Sequence, residues 1–139
     1  MGRTIRDFLL ALAAACFAAA TFSVLANMLA GVSEVDGATP ALALIGFGAL
    51  VLFALNLLPA GFTFWLRVRR GLQPGAFGCI ATGASLGFLG GLGAQFLYWG
   101  APPSEWQAEF ALRALVVITL IGGLSGLVFA STLRALRRA

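Results

Sequence analysis

The chain has 139 residues, of which 60% are hydrophobic and 10% are charged, and its formal net charge is +4 at pH 7. Because a soluble domain carries roughly 25% charged residues, this composition excludes an ordinary water-soluble globular domain. The charges leave four uncharged windows, each at least about 20 residues long, the length that crosses a ~30 Å hydrocarbon core as a helix. These windows are residues 8–33, 37–66, 71–104 and 114–133.

We therefore predict an all-α integral membrane protein with four transmembrane helices in a single domain, residues 1–139. Because the links between the helices are short, consecutive helices are expected to be antiparallel. The predicted spans cover residues 8–30, 40–66, 76–99 and 105–133.

The first span follows a basic start and could instead be a cleaved lipoprotein signal, since small residues precede Cys16. After Cys16, however, the chain continues as FAAATFSVLANMLAG, which stays apolar where a mature lipoprotein turns polar. The apolar run is also longer than the core of a signal peptide. We therefore interpret this segment as a retained membrane helix.

The second span is expected to begin with Thr39 as its N-cap and Pro40 at its first helical position. Threonine is a favoured N-cap, and proline is tolerated at the first position because its missing N–H would have no partner there. This pattern predicts a helix start at the beginning of the second span.

Asn56 lies near the middle of the second span, three residues before Pro59. Pro59 cannot donate a hydrogen bond to the carbonyl of Leu55, so a kink is expected there. Asn56 is therefore a candidate polar site for a small ligand or ion. The interpretation that we favour is that Asn56 hydrogen-bonds to a Ser or Thr on a neighbouring helix, such as Ser85 or Ser125, and holds the helices together.

Glycines recur at four-residue spacing in the third and fourth spans, although glycine costs about 1 kcal/mol relative to alanine in an aqueous helix. Residues four apart share one helix face, and small residues let helix backbones approach closely in lipid. We predict a helix-packing or partner face formed by Gly83, Gly87, Gly91, Gly122 and Gly126. This face could serve packing within the chain, contact with a partner or a second copy, or a pore or ligand groove.

A second group of polar residues is expected at similar depth near the outer membrane surface, the one that faces away from the cytoplasm. Asn27 ends the first span, Gln95 lies late in the third, and Glu109 and Arg113 begin the fourth. Arg113 could hold an anionic headgroup or a carboxylate of a partner. The interpretation that we favour is a sheltered ion pair with Glu109, one helical turn earlier in the favourable acid-first order.

All nine basic residues are arginines, and eight lie before the first span, between the second and third, or after the fourth. Short arginine-rich flanks stay cytoplasmic, so both termini are expected in the cytoplasm. The lack of lysine suggests a GC-rich bacterial genome, and hence a multi-pass protein of the bacterial inner (cytoplasmic) membrane. Anionic lipid headgroups are expected partners of the cytoplasmic clusters, which are Arg3, Arg6, Arg67, Arg69, Arg70, Arg134, Arg137 and Arg138.

Residues that carry chemistry are scarce in the predicted spans. The chain has no His, its two cysteines Cys16 and Cys79 lie in separate apolar segments, and no Asp, Glu or Lys lies in the middle of a span. Proton-coupled transporters usually place an ionisable residue there, and metal or haem sites need ligands that this pattern lacks. We therefore expect no enzyme, no cofactor, no metal site and no nucleic-acid partner.

The sequence thus favours a small inner-membrane protein without its own catalysis. We interpret it as an accessory, assembly or stabilising subunit beside a larger membrane protein. The alternative is a homo-oligomeric channel or transporter for a small solute or ion, with the glycine face of the third span and Asn56 lining its path.

The predicted topology can be tested with reporter fusions. Reporters placed after residue 70 and at the C-terminus should be active in the cytoplasm, whereas reporters after residues 35 and 103 should be active outside it. The physical reason is the arginine asymmetry. A C-terminus outside the cytoplasm would contradict the model of four crossings, because an even number of crossings returns the chain to the side on which it began.

Overall fold

The computed structural model of the chain describes the backbone of residues 2–29, 37–71, 75–99 and 105–138. It describes their side chains as well, except at residues 2, 3, 38, 94–99, 105–108 and 110. Within this part, the chain forms four helices: α1 (Gly2–Leu29), α2 (Ala38–Arg69), α3 (Ala76–Trp99) and α4 (Glu105–Arg138). All four are long and apolar enough to cross a membrane by length and composition. The predicted all-α fold with four such helices is confirmed at this level, and it indicates a multi-pass membrane protein.

One end of the molecule holds most of its positive charge. Arg67 near the end of α2 lies beside Gly78 near the start of α3, and Asp7 near the start of α1 shares a small pocket with Arg137 near the end of α4. Seven arginines with described side chains belong to these helix ends. We call this the arginine-rich end, formed by Arg6, Arg67, Arg69, Arg70, Arg134, Arg137 and Arg138.

Three helices extend past their predicted spans at the arginine-rich end. α1 begins already at Gly2, α2 ends at Arg69 and α4 ends at Arg138. Basic residues occupy the last turns of α2 and α4, where they interact favourably with the partial negative charge of the helix C-terminus. The helices therefore continue through their charged flanks instead of ending with the apolar run.

The predicted start of α2 is wrong by two residues. The helix begins at Ala38, and Gly37 rather than Thr39 is its N-cap, with no side-chain capping bond. Gly37 has φ 109°, a backbone conformation that glycine adopts without steric cost. Pro40 is accommodated because the first turn of a helix has no carbonyl partner for its N–H groups.

The order of the helices in space differs from their order in the chain. Among the described residues, α1 packs against α2 and α4, and α3 packs against α4, giving the spatial order α2–α1–α4–α3. α2 and α3 follow each other in sequence, yet their described backbones are not in contact. The arrangement is therefore an open arc with α2 and α3 at its two edges.

An aromatic cluster joins three of the helices near the arginine-rich end. Phe8 of α1 is 6% exposed, and its ring centroid lies 4.8 Å from that of Phe64 in α2 and 5.9 Å from that of Phe129 in α4. Leu12 and Cys16 extend this buried cluster along α1. Offset and edge-on contacts of this kind are worth about 0.5–1.5 kcal/mol beyond the buried area, so the cluster fixes α1 between α2 and α4.

The backbones of α3 and α4 touch where glycines face each other. A Cβ atom added to Gly83 would collide with the carbonyl oxygen of Gly122, and one added to Gly126 would collide with the carbonyl oxygen of Cys79. A Cβ on Gly87 would lie 2.7 Å from the oxygen of Ile118. Any larger residue would therefore push the two helices apart.

Gly91 continues this contact, since a Cβ there would lie 3.0 Å from Cδ1 of Leu115. All five glycines predicted as a helix-packing or partner face thus lie at the contact between α3 and α4. Other glycines of α3 do not: added Cβ atoms on Gly90 and Gly93 would meet no atom within 4 Å. The glycines of α3 therefore divide into a packed set and an open set.

This division generates a matched test of packing. Gly83→Ala should lower the free energy of unfolding by about 1–3 kcal/mol, the usual cost of forcing an extra group into a close-packed contact. Gly93→Ala makes the same chemical change on the same helix in open space, so it should leave stability unchanged or slightly raised. The measurement is thermal unfolding in detergent micelles. Equal melting temperatures for the two variants would contradict the contact.

Candidate functional site

A cleft of about 750 Å³ lies among the four helices and is lined by residues from each of them. Because α2 and α3 are not in backbone contact, the open side of the cleft lies between these two helices. Its volume falls in the range of ~300–1,000 Å³ that is typical of small-ligand sites. The cleft is therefore the candidate functional site within the described part of the chain.

The walls of the cleft are mostly apolar. Leucine, isoleucine and phenylalanine side chains from all four helices line the cleft, and glycines of α3 and α4 line it as well. The main apolar residues are Leu12, Leu52, Phe64, Leu86, Ile118 and Phe129. Such walls favour an apolar ligand or the apolar part of an amphiphile.

Three of the hydroxyl groups that line the cleft are satisfied within their own helices. Thr63 donates to the carbonyl oxygen of Ala60 at 3.0 Å, Thr82 donates to Gly78 at 2.7 Å, and Ser125 donates to Ile121 at 2.7 Å. Back-bonding of this kind pairs the hydroxyl hydrogen with the helix backbone. The hydroxyls consequently add little polarity to the walls.

Asn56 lies in the cleft but does not join α2 to another helix. Its Nδ2 donates to the carbonyl oxygen of Leu52 at 2.8 Å, in its own helix. Ser85 and Ser125 likewise donate to carbonyls of their own helices. The expected bond from Asn56 to a Ser or Thr of another helix is therefore not formed among the described side chains, because the cleft separates α2 from α3 and α4.

The region around Asn56 nevertheless presents hydrogen-bond acceptors to the cleft. Oδ1 of Asn56 accepts no hydrogen bond from a described residue. Pro59, one turn further along α2, also lines the cleft and lies within the continuous helix. Since proline has no N–H, the carbonyl of Leu55 lacks its usual donor. These two oxygens are the polar feature of the middle of the cleft.

Arg67 reaches across the cleft at the arginine-rich end, a role that the sequence reasoning missed. The side chain is half-buried, and its Nη2 lies 3.4 Å from both the carbonyl oxygen of Gly78 and Oγ1 of Thr82 in α3. A Cβ on Gly78 would collide with the guanidinium. Gly78 therefore leaves room for Arg67 to bridge the two edge helices.

The spacing of polar residues in α2 contains a signal for this role. Asn56, Thr63 and Arg67 are separated by seven and four residues, a spacing that puts them on one helix face. We call these three residues the polar stripe of α2, and all three line the cleft. The sequence analysis used Arg67 only as evidence for the cytoplasmic side of the membrane and did not consider which helix face it shares.

The polar residues expected near the opposite end do not form a site among the described side chains. Glu109 and Arg113 make an ion pair of 2.6 Å, but their side chains are 66% and 77% exposed. Lipid or a partner protein would add to the cover that the chain itself gives, so the sheltered pair expected from the sequence stays a prediction. Asn27 is exposed and donates to the carbonyl oxygen of Ser23. The side chain of Gln95 lies outside the described residues.

The two cysteines are free and buried, and they lie in different helices. In the part of the chain with described side chains, no group of three or more His, Cys, Asp and Glu residues could hold a metal ion. The expectations of no metal, no cofactor and no catalysis stay predictions.

Comparison of the chain with protein-family models, with curated proteins and with solved structures gave no match. The cleft, the helix order and the charge distribution are the features that bear on its function.

The exposed ion pair yields a prediction for a double-mutant cycle. Arg113→Ala and Glu109→Gln should each change the free energy of unfolding by less than about 1 kcal/mol, with a coupling of about 0.3–0.5 kcal/mol, because exposed pairs between residues i and i+4 are weak. The measurement is unfolding of the single and double variants in micelles. A large loss in Arg113→Ala that Glu109→Gln restores would show that the pair is sheltered in the membrane.

Proposed function

We propose that this chain is an accessory subunit of the bacterial inner membrane, without its own catalysis, which assembles with or stabilises a larger membrane protein. Its four helices would cross the membrane in antiparallel fashion. The contacts between α3 and α4 support this arrangement, because Cys79 lies against Gly126 whereas Gly91 lies against Leu115. Residue numbers therefore rise along one helix as they fall along the other.

The proposed orientation has both chain termini in the cytoplasm. Its support is the arginine-rich end, which collects seven arginines with described side chains. Arg113, in contrast, lies near the start of α4 and so towards the other end. Short arginine-rich flanks are retained on the cytoplasmic side, and there they would also contact anionic headgroups of the inner leaflet.

The observation that carries the accessory role is the single-sided packing of α2. Among the described residues, the backbone of this helix contacts that of α1 alone, and Arg67 reaches α3 only through its side chain. The opposite face of α2 presents Phe47 and Leu58, which are 72% and 82% exposed, and the small residue Ala54, which is also exposed and lies on the same helix face. Small residues beside large ones allow close approach of another helix in lipid. A transmembrane helix of a partner would give α2 its second neighbour.

A homo-oligomeric channel or transporter is the second candidate, and the cleft favours it. The polar stripe of α2, which runs along an otherwise apolar cavity, is a feature that a small solute or ion could use. In that case α2 of one copy would pack against another copy of the same chain. The two candidates therefore differ in what contacts the outer face of α2.

Site-specific photo-crosslinking in native membranes separates these candidates. A benzophenone side chain at Leu58 should capture one larger membrane protein reproducibly, because this position faces away from the rest of the chain. The same group at Leu120 of α4, which is 62% exposed, is the matched control and should not capture it.

Loss of the chain should also lower the amount of the captured protein, as expected for a stabilising subunit. A crosslink from Leu58 to a second copy of the chain would support the homo-oligomer instead. Crosslinks to lipid alone, or equal capture from Leu58 and Leu120, would contradict the accessory role.

A further inference from the structure

We propose that the cleft binds one anionic phospholipid, whose phosphate contacts the guanidinium of Arg67 while an acyl chain lies between α2 and α3. This inference concerns the inner side of α2 and does not depend on what packs against its outer face. It rests on the charge of the cleft, its shape and its access.

Arg67 lacks an anionic partner in the described structure. Its two hydrogen bonds are both long, at 3.4 Å, and both go to neutral oxygens. Nε and Nη1 donate to no described residue, and the described ion pairs, Arg6–Asp7 and Arg113–Glu109, do not include Arg67. A charged group beside an apolar cavity is costly unless it is paired. Guanidinium groups bind phosphate through parallel hydrogen bonds, so a lipid phosphate supplies the missing partner.

The surroundings of Arg67 strengthen this preference for an anion. The arginine-rich end has seven arginines with described side chains. The one carboxylate described at this end is Asp7, and it already pairs with Arg6. The field at this end of the cleft is therefore positive.

The length of the cleft suits an acyl chain. The lining runs along α3 from Gly78 to Gly91, which corresponds to about 20 Å of helix. One leaflet of a bilayer contributes about 15 Å of the ~30 Å hydrocarbon core. A lipid with its phosphate at Arg67 would therefore have its chain beside the apolar walls along the whole leaflet.

The cationic end of the cleft favours a lipid over a helix as the occupant. A lipid brings a phosphate to Arg67 together with an apolar chain for the walls, whereas an apolar partner helix would leave the charge of Arg67 unpaired. Since the open side of the cleft lies between two membrane-spanning helices, a lipid could enter from the bilayer without passing through water.

Gly90 offers a way to fill the cleft without disturbing the fold. It lines the cleft, yet an added Cβ would meet no atom within 4 Å. Gly93 has the same freedom but does not belong to the lining. Gly90→Leu and Gly93→Leu are therefore a matched pair, in which one variant blocks the proposed acyl site and the other leaves it open.

The test is native mass spectrometry of the full chain, released from micelles that contain either dioleoyl phosphatidylglycerol or the zwitterionic dioleoyl phosphatidylcholine. The wild-type chain should retain one phosphatidylglycerol in preference to phosphatidylcholine. Arg67→Gln should weaken phosphatidylglycerol binding about tenfold, the loss expected for a hydrogen-bonded charge. Arg70→Gln removes the same charge from the exposed turn after α2, outside the cleft lining, and should weaken phosphatidylglycerol binding much less than Arg67→Gln does.

The acyl site is tested with the glycine pair. Gly90→Leu should weaken phosphatidylglycerol binding at least tenfold, whereas Gly93→Leu should bind as the wild type does. This pair decides the question even if Arg67→Gln does not fold.

Equal binding by Arg67→Gln and Arg70→Gln, or by the two glycine variants, would overturn the proposal in favour of lipid bound over the general surface. Displacement of the lipid by millimolar inorganic phosphate, with phosphate retained by Gly90→Leu, would overturn it in favour of a simple phosphate site.

Discussion

The close approach of α3 to α4 is the constraint on which the rest of the arrangement depends. At Gly83, Gly122 and Gly126 the facing backbone atoms leave no room for a side chain. The gain from such contact is the van der Waals packing that drives helix association in lipid. Because α3 is committed to α4, it is not available to α2, although the chain joins α2 and α3 directly. The open arc and its cleft follow from that choice of neighbour.

The cleft combines an apolar wall with one cationic side chain near its end. The hydroxyl groups of Thr63, Thr82 and Ser125 donate to carbonyls of their own helices, so they donate no hydrogen bond across the gap between α2 and the pair formed by α3 and α4. Arg67 alone among the described side chains reaches from α2 to α3 by hydrogen bonding. An apolar cavity with a cation at one end matches the chemistry of an anionic amphiphile.

The two proposals use opposite faces of α2 and are compatible with each other. The polar stripe faces the cleft, while Phe47 and Leu58 point away from it and are exposed. A helix that has a partner protein on one side and a lipid on the other would couple the two, since displacement of α2 would change both contacts. A subunit of this kind could stabilise a larger complex through protein contact and lipid contact together.

The hydropathy pattern by itself determined that four helices exist and approximately where they lie, because crossing a bilayer requires about 20 apolar residues whatever the packing. The four-residue spacing of glycines in α3 and α4 likewise indicated a helix-packing or partner face, since residues four apart share one face of any helix. It could not determine which helix each face meets. That choice depends on how all the helix surfaces fit together, which is why Asn56 faces an open cleft and not a serine. The packing of the helices also decides that the Arg67 side chain crosses the cleft to α3, whereas the sequence pattern indicated only that Arg67 flanks a membrane span.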